Sequence, residues 1–336
     1  MSLLVDSRVV EAGASAPVST VAAAPAASTM SRRVGVIAIL ISAAGMSLSG
    51  LFARMATPAG ASTGEALTMG RMLVGAVGMV VILALGGRLG QLRRVRLSRS
   101  VVLGGVFLGL SLATYLTATV LTDLSRAVVL HYLGPILSTV LARFVLKERV
   151  STSDALSLGG SFVGMMLAAG LIGGADFGPT TPDDTLGMAL ATASGVFYGA
   201  ALLSYRYRSD MPSDVRSFWN FAFGAVATLG MVVLVRPDLS GMTATNWAWA
   251  GGFFLVSGLL ALGLLVVAGK HLRSAELSGL SFSEVVMATM VGALVYSEPF
   301  SPLMLVGVVV IVVAAIVPLV TGVASDRTQT DLPVQS

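Results

Sequence analysis

The sequence predicts an all-α polytopic membrane protein, with ten transmembrane helices arranged as two inverted five-helix repeats. Three observations predict this class. Of the 336 residues, 55% are hydrophobic, only 11% are charged, and the mean hydropathy is +0.88, whereas about a quarter of the residues in soluble domains are charged. Apolar runs long enough to cross ~30 Å of hydrocarbon recur along the whole chain. The period-two alternation of a membrane β-barrel appears nowhere.

The spans are delimited by the charged residues between them. We place them at 34–57, 65–86, 100–122, 124–146, 154–174, 186–207, 214–235, 247–269, 274–296 and 300–321, and number them 1 to 10. They predict five segments: a disordered cytoplasmic tail over 1–31, a first five-helix repeat over 32–174, a periplasmic linker over 175–185, a second repeat over 186–322 and a cytoplasmic C-terminal tail over 323–336.

The positions of the basic residues predict the orientation. Of the 21 Lys and Arg residues, 17 lie in the tails and in the connections on one side of the membrane, three lie on the other side, and Arg71 lies inside span 2. Cytoplasmic loops carry an excess of Lys and Arg. Both termini are therefore expected in the cytoplasm, in an inner (plasma) membrane, and the number of spans is expected to be even.

The two halves share a pattern at a spacing of 150 residues. This shift places the segment Leu146-Lys147-Glu148 on Tyr296-Ser297-Glu298, and Thr139 on Thr289. Each half then has a long span that ends at a Glu, a short turn and another span. Five spans per half put the second half upside down relative to the first, an arrangement typical of transporters with a central substrate site.

Composition and motifs exclude several classes of function. The chain has no Cys and two His, so disulfides, thiolate catalysis and a Cys- or His-ligated metal site are not expected. No P-loop motif is present, so direct ATP drive would need a partner chain. The pI of about 9.8 reflects loop residues that set orientation, so no nucleic-acid partner is expected. We expect no cofactor, no metal and no enzyme activity, although an intramembrane Ser–His enzyme stays open as a minor alternative.

The chain resembles the EamA-like branch of the drug/metabolite transporter superfamily over roughly residues 32–322. The resemblance rests on Arg71, on Leu133-Gly134-Pro135, and on the segments that end at Glu148 and Glu298. Within this branch it is similar to bacterial exporters of amino acids, the aromatic type in particular. The resemblance implies export of amino acids and related small amphipathic metabolites by alternating access, with the lipid bilayer as the other partner and a monomer as one possible state. Val285 stands where the family often has Pro, which puts strict symmetry of the helix kinks in doubt.

Two ionisable groups in the spans are candidates for substrate binding. A charge inside the membrane costs at least ~2.5 kcal/mol on insertion scales, which makes each such group a candidate by default. Arg71 offers paired donors to a carboxylate; alternatively, it snorkels or pairs with Glu65 or Asp123. Glu284 could hold a substrate ammonium or carry a coupling proton; alternatively, it forms a structural ion pair with Arg71 or His131.

Polar groups near the middle of spans 4 and 9 predict the depth of the site. His131 lies one turn before Pro135, which removes a backbone donor and frees the His131 carbonyl. We predict a kink or hinge at Pro135. The 150-residue shift places Ser281 opposite His131, on the same stripe of span 9 as Ser278. His131 could line the cavity or bond to a neighbouring helix.

The remaining candidates are aromatic, amide or thioether side chains at similar depths. Tyr115 and Tyr132 carry hydroxyls that need partners, Asn220 should face inward, and Met46 would give an adaptable wall. A cavity lined in this way suits an amphipathic solute better than an ion. Other drugs or metabolites carried on the same fold stay open as an alternative.

Overall fold

The computed structural model describes residues 29–58, 61, 63–122, 124–148, 150–172, 181–207, 210–296 and 301–330. Residues 1–28 of the predicted disordered tail and most of the predicted linker lie outside the described residues. Over the part that is described, the chain is helical and contains no strand. The predicted class, an all-α polytopic membrane protein, is confirmed.

Helices occupy all ten predicted spans. In order, the spans correspond to Thr29–Ser47 with Ser49–Ala56, Gly64–Leu85, Arg99–Leu121, Leu124–His131 with Leu133–Val145, Thr152–Ala168, Pro182–Ser204, Ser213–Val235, Ala244–Gly252 with Phe253–Leu260 and Ala261–His271, Ser274–Ser281 with Ser283–Tyr296, and Pro302–Thr330. A short helix, Gly90–Arg94, lies between spans 2 and 3. The last helix runs past residue 322, where the predicted C-terminal tail begins.

Seven of the described helical segments are long and apolar enough to cross a membrane by length and composition, and Pro302–Ile316 is a shorter apolar helix. Spans 5 and 9 belong to neither group. Span 5 is a helix of only 17 residues, and span 9 is divided into two shorter helices.

The packing of the spans repeats between the halves. Span 3 packs along span 6, and span 8 packs in the same way along span 1. The contact between spans 4 and 6 corresponds to the contact between spans 9 and 1. In the same way, the contact between spans 3 and 7 corresponds to the contact between spans 8 and 2. Spans 2 and 7 pack on each other, as do spans 5 and 10. These contacts between the halves thus have counterparts at a shift of five spans, which is the pattern expected of an internal repeat.

Spans 4 and 9 are both broken near their middle. The break in span 4 is at Tyr132, three residues before Pro135, and the break in span 9 is at Phe282. The two break residues are 150 positions apart in the sequence. Span 9 breaks without a proline: the position equivalent to Pro135 is Val285, whose N–H donates to the Phe282 carbonyl at 3.0 Å. Both halves therefore contain a break, although Val285 stands where a proline was expected.

Glycine lets span 6 cover the backbone freed by the break in span 4. Because Pro135 has no N–H, the His131 carbonyl lacks its usual helical partner. A Cβ on Gly195 would lie 2.4 Å from the Leu130 carbonyl oxygen and 3.0 Å from that of His131. Non-helical backbone at membrane depth is tolerated where protein buries it. A residue without a side chain is required at this position.

Ion pairs join the two halves at the face that carries the start of span 1, which we call the terminal face. Arg32 pairs with Glu276 at 2.8 Å, and Arg206 pairs with Glu148 at 2.9 Å. The Ser274 N–H also donates to Glu148 at 3.2 Å. Arg206 and Glu148 are partly exposed, so their pair contributes about 0–1 kcal/mol. In the other pair, Arg32 is partly exposed and Glu276 is buried. Both pairs connect the two halves at this face.

A related pair lies at the opposite face, which carries the loop between spans 1 and 2 and which we call the distal face. Arg126 pairs with Asp184 at 2.5 Å, and Thr122 donates a hydrogen bond to the same carboxylate. Arg126 is 150 residues before Glu276. An ion pair therefore joins the starts of spans 4 and 6 at the distal face, and a related pair joins the starts of spans 9 and 1 at the terminal face. The arginine belongs to span 4 in the first pair, whereas span 9 supplies the carboxylate in the second.

Candidate functional site

A cavity of about 520 Å³ enters the protein from the distal face. Its walls are the second part of span 1, the start of span 2, the end of span 3, the start of span 4 and the second helix of span 9. At the surface it is lined by Arg54 and by Pro58 and Ala61 of the loop between spans 1 and 2. Met46, Tyr115 and Glu284 lie at its inner end, near the middle of their spans. The cavity thus reaches the depth that was predicted for the site.

Glu284 is the carboxylate at the inner end of the cavity. It lies three residues after Ser281, in the first turn of the second helix of span 9, so the break at Phe282 sets its position. Its side chain is half-buried. The Tyr132 hydroxyl donates a hydrogen bond to it, and the Arg71 guanidinium interacts with it electrostatically. The broken helix therefore presents a carboxylate to the cavity, with a positive charge behind it.

Arg71 is fully buried, with an exposed fraction of 0%. Its guanidinium carbon lies 4.9 Å from the centre of the Phe253 ring, in the π-helical part of span 8. Its Nε and Nη2 atoms have no hydrogen-bond partner among the described residues. A buried charge with unsatisfied donors is costly unless an anion meets it. Arg71 is therefore suited to bind an anionic group.

The two structural partners considered for Arg71 differ in their placement. Glu65, which is buried, accepts a hydrogen bond from Thr117 of span 3 and pairs with no arginine among the described residues. Asp123 lies outside the described residues. In the part of the chain that is described, the carboxylate that acts electrostatically on Arg71 is Glu284.

An aromatic cluster centred on His131 lies next to these charges. The His131 ring lies 4.5 Å from the Tyr115 ring and 4.8 Å from the Tyr198 ring, and it is nearly parallel to Tyr198. Tyr132 meets the His131 ring edge-on at 5.6 Å and lies 5.5 Å from Phe282. The cluster joins both broken helices to spans 3 and 6. It forms an aromatic wall behind Tyr115.

Sequence reasoning missed Ser194 and Tyr198 as site residues. Both lie on one face of span 6, because they are four residues apart in a continuous helix. Ser194 bonds to the His131 ring at 2.9 Å, and Tyr198 stacks on the same ring. A Ser and a Tyr at i and i+4 near mid-span could have signalled this face, but the pattern alone does not name the neighbouring helix.

The structure brings some of the nine predicted binding residues together and separates others. Met46, Tyr115 and Glu284 line the cavity. Arg71, His131 and Tyr132 lie directly behind them, in contact with Tyr115 or in electrostatic contact with Glu284. Ser281 donates to the Leu277 carbonyl of its own helix at 2.7 Å and also interacts with the Tyr198 hydroxyl.

Ser278 and Asn220 take part in helix packing away from the cavity lining. Ser278 accepts a hydrogen bond from Thr139 of span 4 at 3.2 Å. Asn220 is buried and donates to the Tyr205 hydroxyl at 2.9 Å. Both contacts connect spans on the terminal-face side of the aromatic cluster. Their polar groups are satisfied at least in part by neighbouring helices, as polar groups at membrane depth require.

The fold and the cavity define a class of protein. Helical packing that repeats between two halves, with a polar site at mid-membrane between them, is the architecture of a membrane transporter. The model of the EamA-like transporter family matches the chain twice, over residues 33–170 and 185–320. The chain belongs to this family and is a membrane transporter of small molecules.

The fold is also found in solved structures. A crystal structure of a protein whose title gives no function matches with a TM-score of 0.72 and 19% sequence identity, and the match covers 87% of this chain and 97% of that one. At this identity the likeness shows the fold alone. None of the curated proteins matches this chain significantly.

Proposed function

We propose that this transporter exports amino acids and related small amphipathic metabolites, aromatic and hydrophobic amino acids included. The observation that carries the proposal is the proximity of two opposite charges: Glu284 lines the inner end of the cavity, and Arg71, buried behind it, acts on Glu284 electrostatically. Arg71 offers unsatisfied donors to a carboxylate, and Glu284 offers a carboxylate to an ammonium. An amino acid carries both groups, so it could replace the interaction between Arg71 and Glu284 with two interactions of its own.

The neighbouring side chains favour an apolar or aromatic cargo. Met46, Leu67, Val128 and Val291 contribute apolar surface to the cavity, and Tyr115 contributes an aromatic face. Aromatic pairs gain ~0.5–1.5 kcal/mol beyond their buried area. A cargo without a carboxylate, such as a simple cationic drug, would leave the Arg71 donors unsatisfied. This favours amino acids over the other cargoes of the same fold.

The same arrangement supports alternating access. The cavity is open at the distal face, while ion pairs between the halves join spans 1, 4, 6 and 9 at the terminal face. The basic residues predict that the terminal face is cytoplasmic. On this proposal the described state opens to the periplasm, both termini lie in the cytoplasm, and export requires the ion pairs at the terminal face to separate. One chain contains the whole cavity, so a monomer would suffice.

Transport by purified protein in liposomes tests the proposal. Labelled Phe, Met, Thr and a dipeptide are to be compared with and without a pH gradient. We expect liposomes that contain the protein to take up Phe and Met faster than liposomes without it. We also expect 2-phenylethylamine, which lacks the carboxylate, to compete poorly with Phe. A dependence on the pH gradient would identify proton coupling, whereas its absence would identify a facilitator. Failure of every amino acid to move, or equal competition by the amine, would contradict the proposal.

A further inference from the structure

Ser194 holds one edge of the His131 ring. The Ser194 hydroxyl oxygen lies 2.9 Å from His131 Nδ1 and 2.7 Å from the Ala191 carbonyl oxygen of its own helix. Ser194 is fully buried, and its own carbonyl accepts a hydrogen bond from Ser111 of span 3 at 2.9 Å. Spans 3 and 6 therefore fix this hydroxyl in place.

The position of one proton decides which ring nitrogen of His131 is protonated. Two oxygens 2.7 Å apart repel each other unless a hydrogen lies between them, so the Ser194 hydroxyl donates to Ala191. A hydroxyl has only one proton, and the Ser194 oxygen must then accept from His131. The ring has no ion-pair partner among the residues described here, and we take it as neutral. In a neutral imidazole that donates from Nδ1, the other nitrogen, Nε2, is an acceptor.

We propose that Ser194 fixes His131 as the Nδ1–H tautomer and that Nε2 accepts a hydrogen bond from the ammonium of the cargo. The second part rests on the proposed function. Nε2 lies on the far edge of the ring from Ser194 and makes no hydrogen bond within the described part of the chain. Tyr115 both lines the cavity and packs against the ring, with 4.5 Å between the ring centres and a tilt of 33°. The proposal requires that a turn of this half-buried tyrosine side chain opens the His131 ring to the cavity, so that Nε2 can meet a cargo that also meets Glu284.

Two acceptors would then hold one ammonium. Glu284 supplies the negative charge, and Nε2 supplies a directional neutral acceptor beside it. Arg71 supplies donors only and repels the ammonium, so the two ends of an amino acid are distinguished. Ser194 is thus a positioning residue, because it acts on the cargo only through the His131 ring.

Nuclear magnetic resonance of labelled histidine tests the tautomer without any transport assay. The chain has only two histidines, and the variant His271→Asn leaves His131 as the only one. In nanodiscs, we expect ring ¹⁵N signals of a protonated Nδ1 and a bare Nε2. Ser194→Ala should shift the ring toward the Nε2–H form, and Ser194→Thr should retain Nδ1–H. A protonated Nε2 or a doubly protonated ring in the otherwise unaltered protein would overturn the proposal, whether or not the Ser194 variants fold.

A second measurement tests the role of Nε2 in binding. Competition against labelled Phe is to be measured with unlabelled Phe and with 3-phenylpropionate, which lacks only the amino group. The variant His131→Phe keeps an aromatic ring and removes the acceptor. It should reduce the ratio by which the protein prefers Phe over 3-phenylpropionate by about tenfold to a hundredfold, which is the range for a hydrogen bond to a charged group. An unchanged preference would contradict this role. If the unaltered protein moves no amino acid, the proposed function fails, and the spectrum of His131 still decides the tautomer.

Discussion

Gly195→Ala should greatly reduce the amount of folded protein. The new Cβ would lie 2.4 Å from the Leu130 carbonyl oxygen, a distance that only movement of the backbone of span 4 or span 6 can relieve. Overpacking of this kind costs about 1–3 kcal/mol, and here it would also uncover the carbonyls freed by the break. We expect a lower yield in detergent and a lower midpoint of thermal unfolding.

Gly230→Ala is the matched control for this effect. Gly230 lies in the helix of span 7, and a Cβ there meets nothing within 4 Å. Ala has a helix propensity better than that of Gly by about 1 kcal/mol, so this variant should be as stable as the parent protein or more so. Equal stability of the Gly195 and Gly230 variants would show that the contact between spans 4 and 6 is not as close as described.

Arg71→Gln should lower amino-acid transport by about tenfold to a hundredfold. This range corresponds to the loss of a hydrogen bond to a charged group, at about 1.5–3 kcal/mol. A glutamine keeps two donors on one nitrogen but loses the charge and the planar fork that matches a carboxylate. Initial rates in liposomes at several Phe concentrations would show the effect chiefly as a raised KM, because the proposed role of Arg71 is in binding.

Two further variants keep this prediction decisive. Arg143→Gln removes an exposed arginine near the end of span 4 and should leave transport unchanged. Arg71→Lys retains the charge if the Gln variant fails to fold, and it should transport at an intermediate rate. Similar rates for the Arg71 and Arg143 variants would remove Arg71 from the binding site.

The sequence was sufficient to predict the fold class and the rough limits of all ten spans. Hydropathy determines which segments are buried in lipid, and charged residues separate them, so neither prediction needs tertiary information. The 150-residue shift also related His131 to Ser281, and the structure places the break residues Tyr132 and Phe282 immediately after them. The sequence indicated these equivalent positions because the two halves share a pattern at a fixed spacing of 150 residues.

The break in span 9 and the π-helical turn in span 8 had no signal within their own spans. Neither segment contains a proline. The π-helical segment Phe253–Leu260 packs against spans 1 and 2; a Cβ on Gly258 would lie 2.9 Å from that of Arg71, and Ser257 donates to the Gly45 carbonyl at 2.7 Å. These features are set by contacts between distant helices. A pattern within one span cannot predict them.

The candidate site was predictable in part for the same reason. Depth in the membrane selects Arg71, Tyr115, His131, Tyr132 and Glu284, and the structure places these residues together. Depth also selected Asn220, whose partner is Tyr205 of span 6. The cost of burying an amide explains why Asn220 faces inward, but it does not specify whether the partner is a cargo or a neighbouring helix.

Cysteine accessibility tests the central claim most directly, namely that one cavity between the two halves binds the cargo and opens to the periplasm in the described state. The chain has no native cysteine, so single variants can be read without background. Met46→Cys lies at the inner end of the cavity, whereas Ser278→Cys is fully buried on the terminal-face side. We expect a membrane-impermeant thiol reagent added from the periplasmic side to modify Met46→Cys, to react more slowly when Phe is present, and to leave Ser278→Cys unmodified. Modification of Met46→Cys only from the cytoplasmic side, or at a rate that Phe does not change, would contradict the account.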